Sequence, residues 1–127
     1  MNCTEIEQEI QDKGLTAPRV TPDDIEANID SEHYFTAEQG VVGEERCRPD
    51  FYEREVELVR FVPELRLLTF CVLVLRNGFT VTGESACASQ ENFNADLGRK
   101  IARQNAVQKV WPLLGFALKE RLHAEGG

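Results

Sequence analysis

Arg99 and Arg103 stand four residues apart in a stretch whose spacing predicts a helix, so the two guanidiniums share one face, with Lys100 beside them. Two such forks on one face can hold a phosphate or a carboxylate bidentately. The competing reading is a solvated helix face that pairs with Asp96 or with acids of the N-terminal half. Phe79 also carries two readings. It either fills the core, the usual fate of phenylalanine, or stacks on a base as an exposed aromatic at a strand start. Asn92 is either a helix cap or an amide able to read a base edge.

Nothing in the chain assembles into a catalytic constellation. Ser85 and Ser89 have no histidine near them in sequence, and no Gly-x-Ser-x-Gly elbow occurs. His33 and His123 are isolated, which suits surface residues better than general bases. Cys3, Cys47, Cys71 and Cys87 form no Cys-x-x-Cys pair and lie far from both histidines, which argues against zinc. Cys71 and Cys87 read as small buried hydrophobes in a reducing compartment, and a disulfide framework is the weaker reading. The expectation is a binding protein without catalytic residues, metal or cofactor.

Composition narrows the partners. Residues 1–50 hold 13 acids and 4 bases, whereas residues 51–127 hold 9 acids and 10 bases. The net charge of −8 repels duplex nucleic acid, so any anion site belongs in the C-terminal half. The longest apolar stretch, residues 67–75, falls well short of the roughly 20 residues that span a bilayer. The acidic N-terminus does not resemble a signal peptide. No membrane partner is expected, and the cytoplasm is the expected location.

The elements that must position these residues point to one α+β domain over residues 1–127. Residues 1–35 read as helical. Ile6 and Ile10 mark a short acidic helix stopped by Gly14, and Thr21-Pro22-Asp23-Asp24 starts a second with an N-cap, a first-turn proline and two acids. Ile25 and Ile29 form its stripe, which ends near Asp30 or Ser31. Residues 36–50 read as a loop, broken by glycine and proline. Residues 51–63 are ambiguous, strand-like in part, and end at Pro63.

Residues 67–75 are apolar on both faces, as in a strand covered on each side or by a subunit partner. Asn77-Gly78 then predicts a two-residue type I′ turn, and Phe79 and Val81 alternate with Thr80 and Thr82 on the return. The expected fold is an antiparallel sheet centred on a 67–75/79–85 hairpin, with N-terminal helices and a C-terminal helix packed on it. Gly83 fits a bulge or a close backbone approach. Asn92 or Asn94 caps a helix running to Trp111, with Leu97, Ile101, Val107 and Val110 on its buried face. Pro112 interrupts that helix, and a short one follows over residues 116–122.

Residues 67–88, with the turn Arg76-Asn77-Gly78-Phe79 at their centre, are followed by Glu91-Asn92-Phe93, Gly98-Arg99-Lys100-Ile101-Ala102 and Trp111-Pro112-Leu113. This combination resembles a family of small phage and prophage proteins named after gene product forty-nine of phage N4 and gene sixty-six of phage Sf6. The likeness covers roughly residues 64–122, with a further echo in residues 25–35. The order of hairpin and helix is also similar to phage sponges that counter Thoeris immunity. Those are homo-oligomeric and bind a cyclic ADP-ribose isomer, some also cyclic di- or trinucleotides, without cleaving it.

That resemblance implies a homodimer or higher homo-oligomer in the host bacterial cytoplasm. Phe79 would be the base platform, Asn92 a base or ribose contact, and Arg99 and Arg103 the pyrophosphate clamp, with Arg54 as a further clamp residue. The alternative is an acidic protein-interaction module that docks its N-terminal half on a basic host surface.

Overall fold

Thr21 begins the first well-anchored element. Its hydroxyl accepts the Asp24 N–H at 3.1 Å while the Asp24 carboxylate accepts the Thr21 N–H at 2.9 Å, a reciprocal box that fixes the entry of α2, Pro22–Asn28. The computed structural model describes residues 3–15, 17–49 and 62–126. Ahead of α2 lies α1, Cys3–Asp12, followed by Gly14 at φ 68°, where a side chain would be strained. After it come β1 (Ile29–Thr36), α3 (Ala37–Arg46), a 3₁₀ turn (Pro63–Leu67), β2 (Leu68–Leu75), β3 (Thr80–Ala86), a second 3₁₀ turn (Gln90–Asn92) and α4 (Ala95–Ala124).

The three strands form an antiparallel sheet in the order β1-β2-β3, and α4 packs across one face of it. This is the expected α+β architecture, with three local corrections. The segment after α2 is not helical through Ser31. The helix ends at Asn28, and Ile29 opens strand β1, whose register on β2 shifts between Ile29 and Ser31. The expected loop over residues 36–50 contains helix α3. The Thr36 hydroxyl accepts the Gln39 N–H at 3.2 Å and the Gln39 side chain accepts the Thr36 N–H at 2.9 Å, and this second reciprocal box outweighs two helix-weakening glycines. Pro112 does not end α4, which runs unbroken to Ala124. Trp111, Leu113 and Leu114 pack against the core around it and offset the lost hydrogen bond.

The core lies between β2, β3 and α4, with Ile25 of α2 closing one end. Along β2, Thr69, Cys71, Leu73 and Leu75 are buried against α4, whereas Leu68, Phe70, Val72 and Val74 on the opposite face are half-buried. Leu97 and Ile101 do not face the core; both are exposed. The buried stripe of α4 is Gly98, Ala102, Ala106 and Val110, one residue every four. Small side chains let the helix axis approach the sheet at Gly83. The register of β2 on β3 runs through Gly83 without a break, so this glycine serves a close approach and not a bulge.

The hairpin turn is one residue longer than expected. The Gly78 N–H donates to the Leu75 carbonyl at 2.9 Å, and the Leu75 N–H donates to the Phe79 carbonyl at 2.8 Å. The loop is therefore Arg76-Asn77-Gly78, closed by Gly78 at φ 88°, a conformation that favours glycine. The Asn77 side chain accepts the Phe79 N–H at 2.9 Å. Phe79 is left outside the core, 54% exposed.

Candidate functional site

At the end of the sheet away from the hairpin, the first turns of α3 and α4 meet over Thr69. They enclose a cleft of about 240 Å³. Tyr34 and Phe93 supply its apolar walls, and Thr69, Gln39 and Arg99 supply its polar groups; Phe35 lies at its edge, with its ring on the far face of the sheet. Phe35 is fixed by stacking on Phe70, with ring centroids 5.3 Å apart, and by the close approach of Gly40 to its ring. Thr69 lines the cleft and is only 3% exposed. A threonine hydroxyl there can both donate to and accept from a ligand group. The Gln39 carbonyl is occupied by its cap, so its amide N–H groups remain to donate. Arg99 pairs with Asp96, but both are exposed (46% and 80%), so the pair is weak and exchangeable for an incoming anion.

Arg103, the intended partner of Arg99, is otherwise engaged. Its guanidinium donates to both Glu26 oxygens at 3.1 and 2.7 Å and to Glu32 at 3.0 Å. The Tyr34 hydroxyl donates to Glu32 at 3.0 Å. These contacts tie α2, β1 and α4 together. The hydrogen bonds that Arg103 donates to Glu26 raise its pKa further, against the cost of burial. The Arg103 hydrogen bond holds the Glu32 carboxyl below its ordinary range, while burial, and then Glu32, push the Tyr34 hydroxyl up. Burial likewise raises the Cys71 thiol.

A lowered carboxylate pKa contributes stability that is complete above the ordinary glutamate range and lost as pH falls through the native value. The thermal midpoint should therefore fall on acidification, and Glu32→Gln should flatten that acid limb. An identical acid limb in the variant would count against the ion-pair network.

The other residues singled out from sequence are dispersed. Asn92 does not cap α4; Asn94 does, accepting the Leu97 N–H at 3.0 Å. Asn92 is exposed in the 3₁₀ turn just before Phe93 and does not line the Arg99 cleft. Phe79 sits in a separate notch of about 300 Å³ beside Arg76, Asn77 and Leu113. Thr69 and Leu75 mark the two ends of β2, and at 3.3 Å per residue about 20 Å separates the notch from the Arg99 cleft. Arg54 lies outside the described residues. Thr69, Gln39, Tyr34, Phe35 and Phe93 escaped the sequence reading, although Thr69 is the one polar residue in the run 67–75.

Among the described residues no group of three or more His, Cys, Asp or Glu side chains could hold a metal ion, and no helix is long and apolar enough to cross a membrane. The four cysteines are free thiols. The model of a family described as phage protein (N4 Gp49/phage Sf6 gene 66) matches residues 20–122. No curated protein and no solved structure matches the chain.

Proposed function

The chain belongs to the phage protein (N4 Gp49/phage Sf6 gene 66) family, and from that premise we propose that it binds a cyclic nucleotide immune signal and sequesters it without cleaving it. The signal class is a cyclic ADP-ribose isomer or a cyclic di- or trinucleotide. One observation carries this reading: two aromatic side chains, a threonine hydroxyl and an exchangeable arginine line one cleft. Rings stack a base, Thr69 and Gln39 meet its polar edge, and Arg99 takes a phosphate at the mouth.

The cleft of about 240 Å³ admits part of such a ligand, and the rest extends past Arg99 into solvent or onto a second copy. Phe79 of the same copy is too distant to stack on that ligand, so its role as a platform requires a homodimer or higher homo-oligomer. The acidic docking alternative loses support, because Glu7, Glu26, Glu32 and Glu38 are already ion-paired within the chain.

The test is calorimetric titration with a cyclic ADP-ribose isomer and with cyclic dinucleotides, then heating of the complex and mass spectrometry of what is released. Binding with intact release is expected. Arg99→Ala should weaken affinity about tenfold or more, as loss of a charged hydrogen bond does, and Thr69→Val should weaken it without changing shape. Degraded ligand would make the protein an enzyme and end this reading, as would the absence of binding to every member of the class.

A further inference from the structure

The described arginines are not used alike. Arg19 is paired with Glu7, Arg48 with Glu44, Arg66 with Glu38, Arg99 with Asp96, and Arg103 with Glu26 and Glu32. Arg76 and Arg121, like the exposed Arg46, make no side-chain hydrogen bond or ion pair among the described residues, in a chain with 22 acids and 14 bases; Arg76 and Arg121 lie together. Both line one cleft of about 360 Å³, together with Arg19. The place of Arg121 in the last turn of α4 suits the helix dipole. Nothing comparable accounts for Arg76 at the tip of a hairpin.

Three separate parts of the chain bring these cations together. The Arg76 N–H donates to the Asn28 carbonyl at 3.0 Å, which ties the hairpin tip to the end of α2. Arg19 is held from behind, with Nη1 donating to Glu7 at 2.7 Å and Nε to the Leu15 carbonyl at 3.3 Å; Nη2 stays available. Glu7 does not line the cleft. Asp24 does, and one of its oxygens is taken by the Thr21 N–H. The half-buried Asn28 side chain adds an amide with no partner among the described residues. Leu114 and Leu118 of α4 complete an apolar floor.

We infer that this cleft is an anion site for the phosphate or pyrophosphate group of a small molecule. Guanidinium forks pair bidentately with phosphate oxygens, and a partly apolar floor strengthens those pairs relative to open water. Three cations against two carboxylates, Asp24 on the wall and Glu7 behind Arg19, leave a net positive charge that favours an anion. The volume lies at the small end of ligand clefts, enough for a pyrophosphate and part of its carrier. The site shares no lining residue with the Arg99 cleft and does not rest on the reading of that cleft.

The test uses inorganic pyrophosphate as the probe, in calorimetry on the full chain at low ionic strength, with Arg76→Ala, Arg121→Ala, Arg46→Ala and Arg99→Ala. Arg46 is an exposed cation on α3 that lines neither cleft, and it controls for diffuse charge. Arg76→Ala and Arg121→Ala should each weaken pyrophosphate binding about tenfold or more, Arg46→Ala should leave it unchanged, and Arg99→Ala should affect only a second, separable binding event. No binding to the unaltered chain would overturn the site, and so would equal losses in all four variants. Loss confined to Arg99→Ala would also overturn it, while leaving the Arg99 cleft as the anion site.

Discussion

Gly83→Ala is expected to destroy cooperative folding, because the added methyl group has no room. A Cβ at Gly83 would overlap the Ala102 carbonyl oxygen and the Ala106 nitrogen and come within 2.9 Å of the Ala106 Cα. All three obstacles are backbone atoms, so no side chain can rotate away. Relief requires α4 to lift off β3, and that movement would open the contacts of Ala102, Ala106 and Val110, all fully buried. Overpacking ordinarily costs about 1–3 kcal/mol when side chains can adjust; here the cost should exceed that range, against a total stability of about 5–15 kcal/mol.

Gly115→Ala is the matched control. Gly115 lies in α4 with nothing within 4 Å of its added Cβ, so the same methyl group should stabilise the helix by about 0.5–1 kcal/mol. Urea unfolding of both variants reads the two signs. A Gly83→Ala midpoint equal to that of the unaltered chain would show that α4 does not seat on this glycine.

Much of this arrangement was legible in the sequence where the signal is local. The Thr21-Pro22 start of α2 and the hairpin around Asn77-Gly78 each depend on residues within a few positions of one another, whereas Gly83 reads equally as a bulge until the fold sets Ala102 and Ala106 against it. The box that starts α3 was equally local, as Thr36 and Gln39, but Gly40 and Gly43 masked it. Strand β1 carries Asp30, Ser31, Glu32 and His33 in its middle, so an edge strand of mixed composition showed no alternation to read. In α4 the large residues Leu97 and Ile101 drew attention from the small stripe that lies on the sheet.

The site was harder for a different reason. Arg103 meets Glu32 and Glu26 across 71 and 77 residues of sequence, so its commitment to them is a product of the tertiary fold. Spacing correctly put Arg99 and Arg103 on one helical turn. It could not tell that one is held by two carboxylates from other elements while the other faces an aromatic cleft. Thr69 belongs to that cleft only because α3 and α4 begin side by side over the end of β2.

The second large effect concerns the two faces of β2, which its composition does not distinguish. Leu73 is fully buried, opposite Val81 on β3, on the face that carries α4. Leu73→Ala should cost about 2–5 kcal/mol, because the removed atoms leave a cavity that flanking strands cannot close. Val72 points the other way, opposite His33 and Thr82, and is half-buried. Its truncation removes less apolar area from a surface that can relax, so Val72→Ala should cost about 1 kcal/mol or less by the area it buries. Urea unfolding at several protein concentrations separates the cases. A small, concentration-independent loss for Val72→Ala fits a face open to solvent. A loss as large as that of Leu73→Ala, shrinking as the protein is diluted, would mean that a second copy covers this face. The homo-oligomer on which the role of Phe79 depends would then have its interface on the outer side of β2.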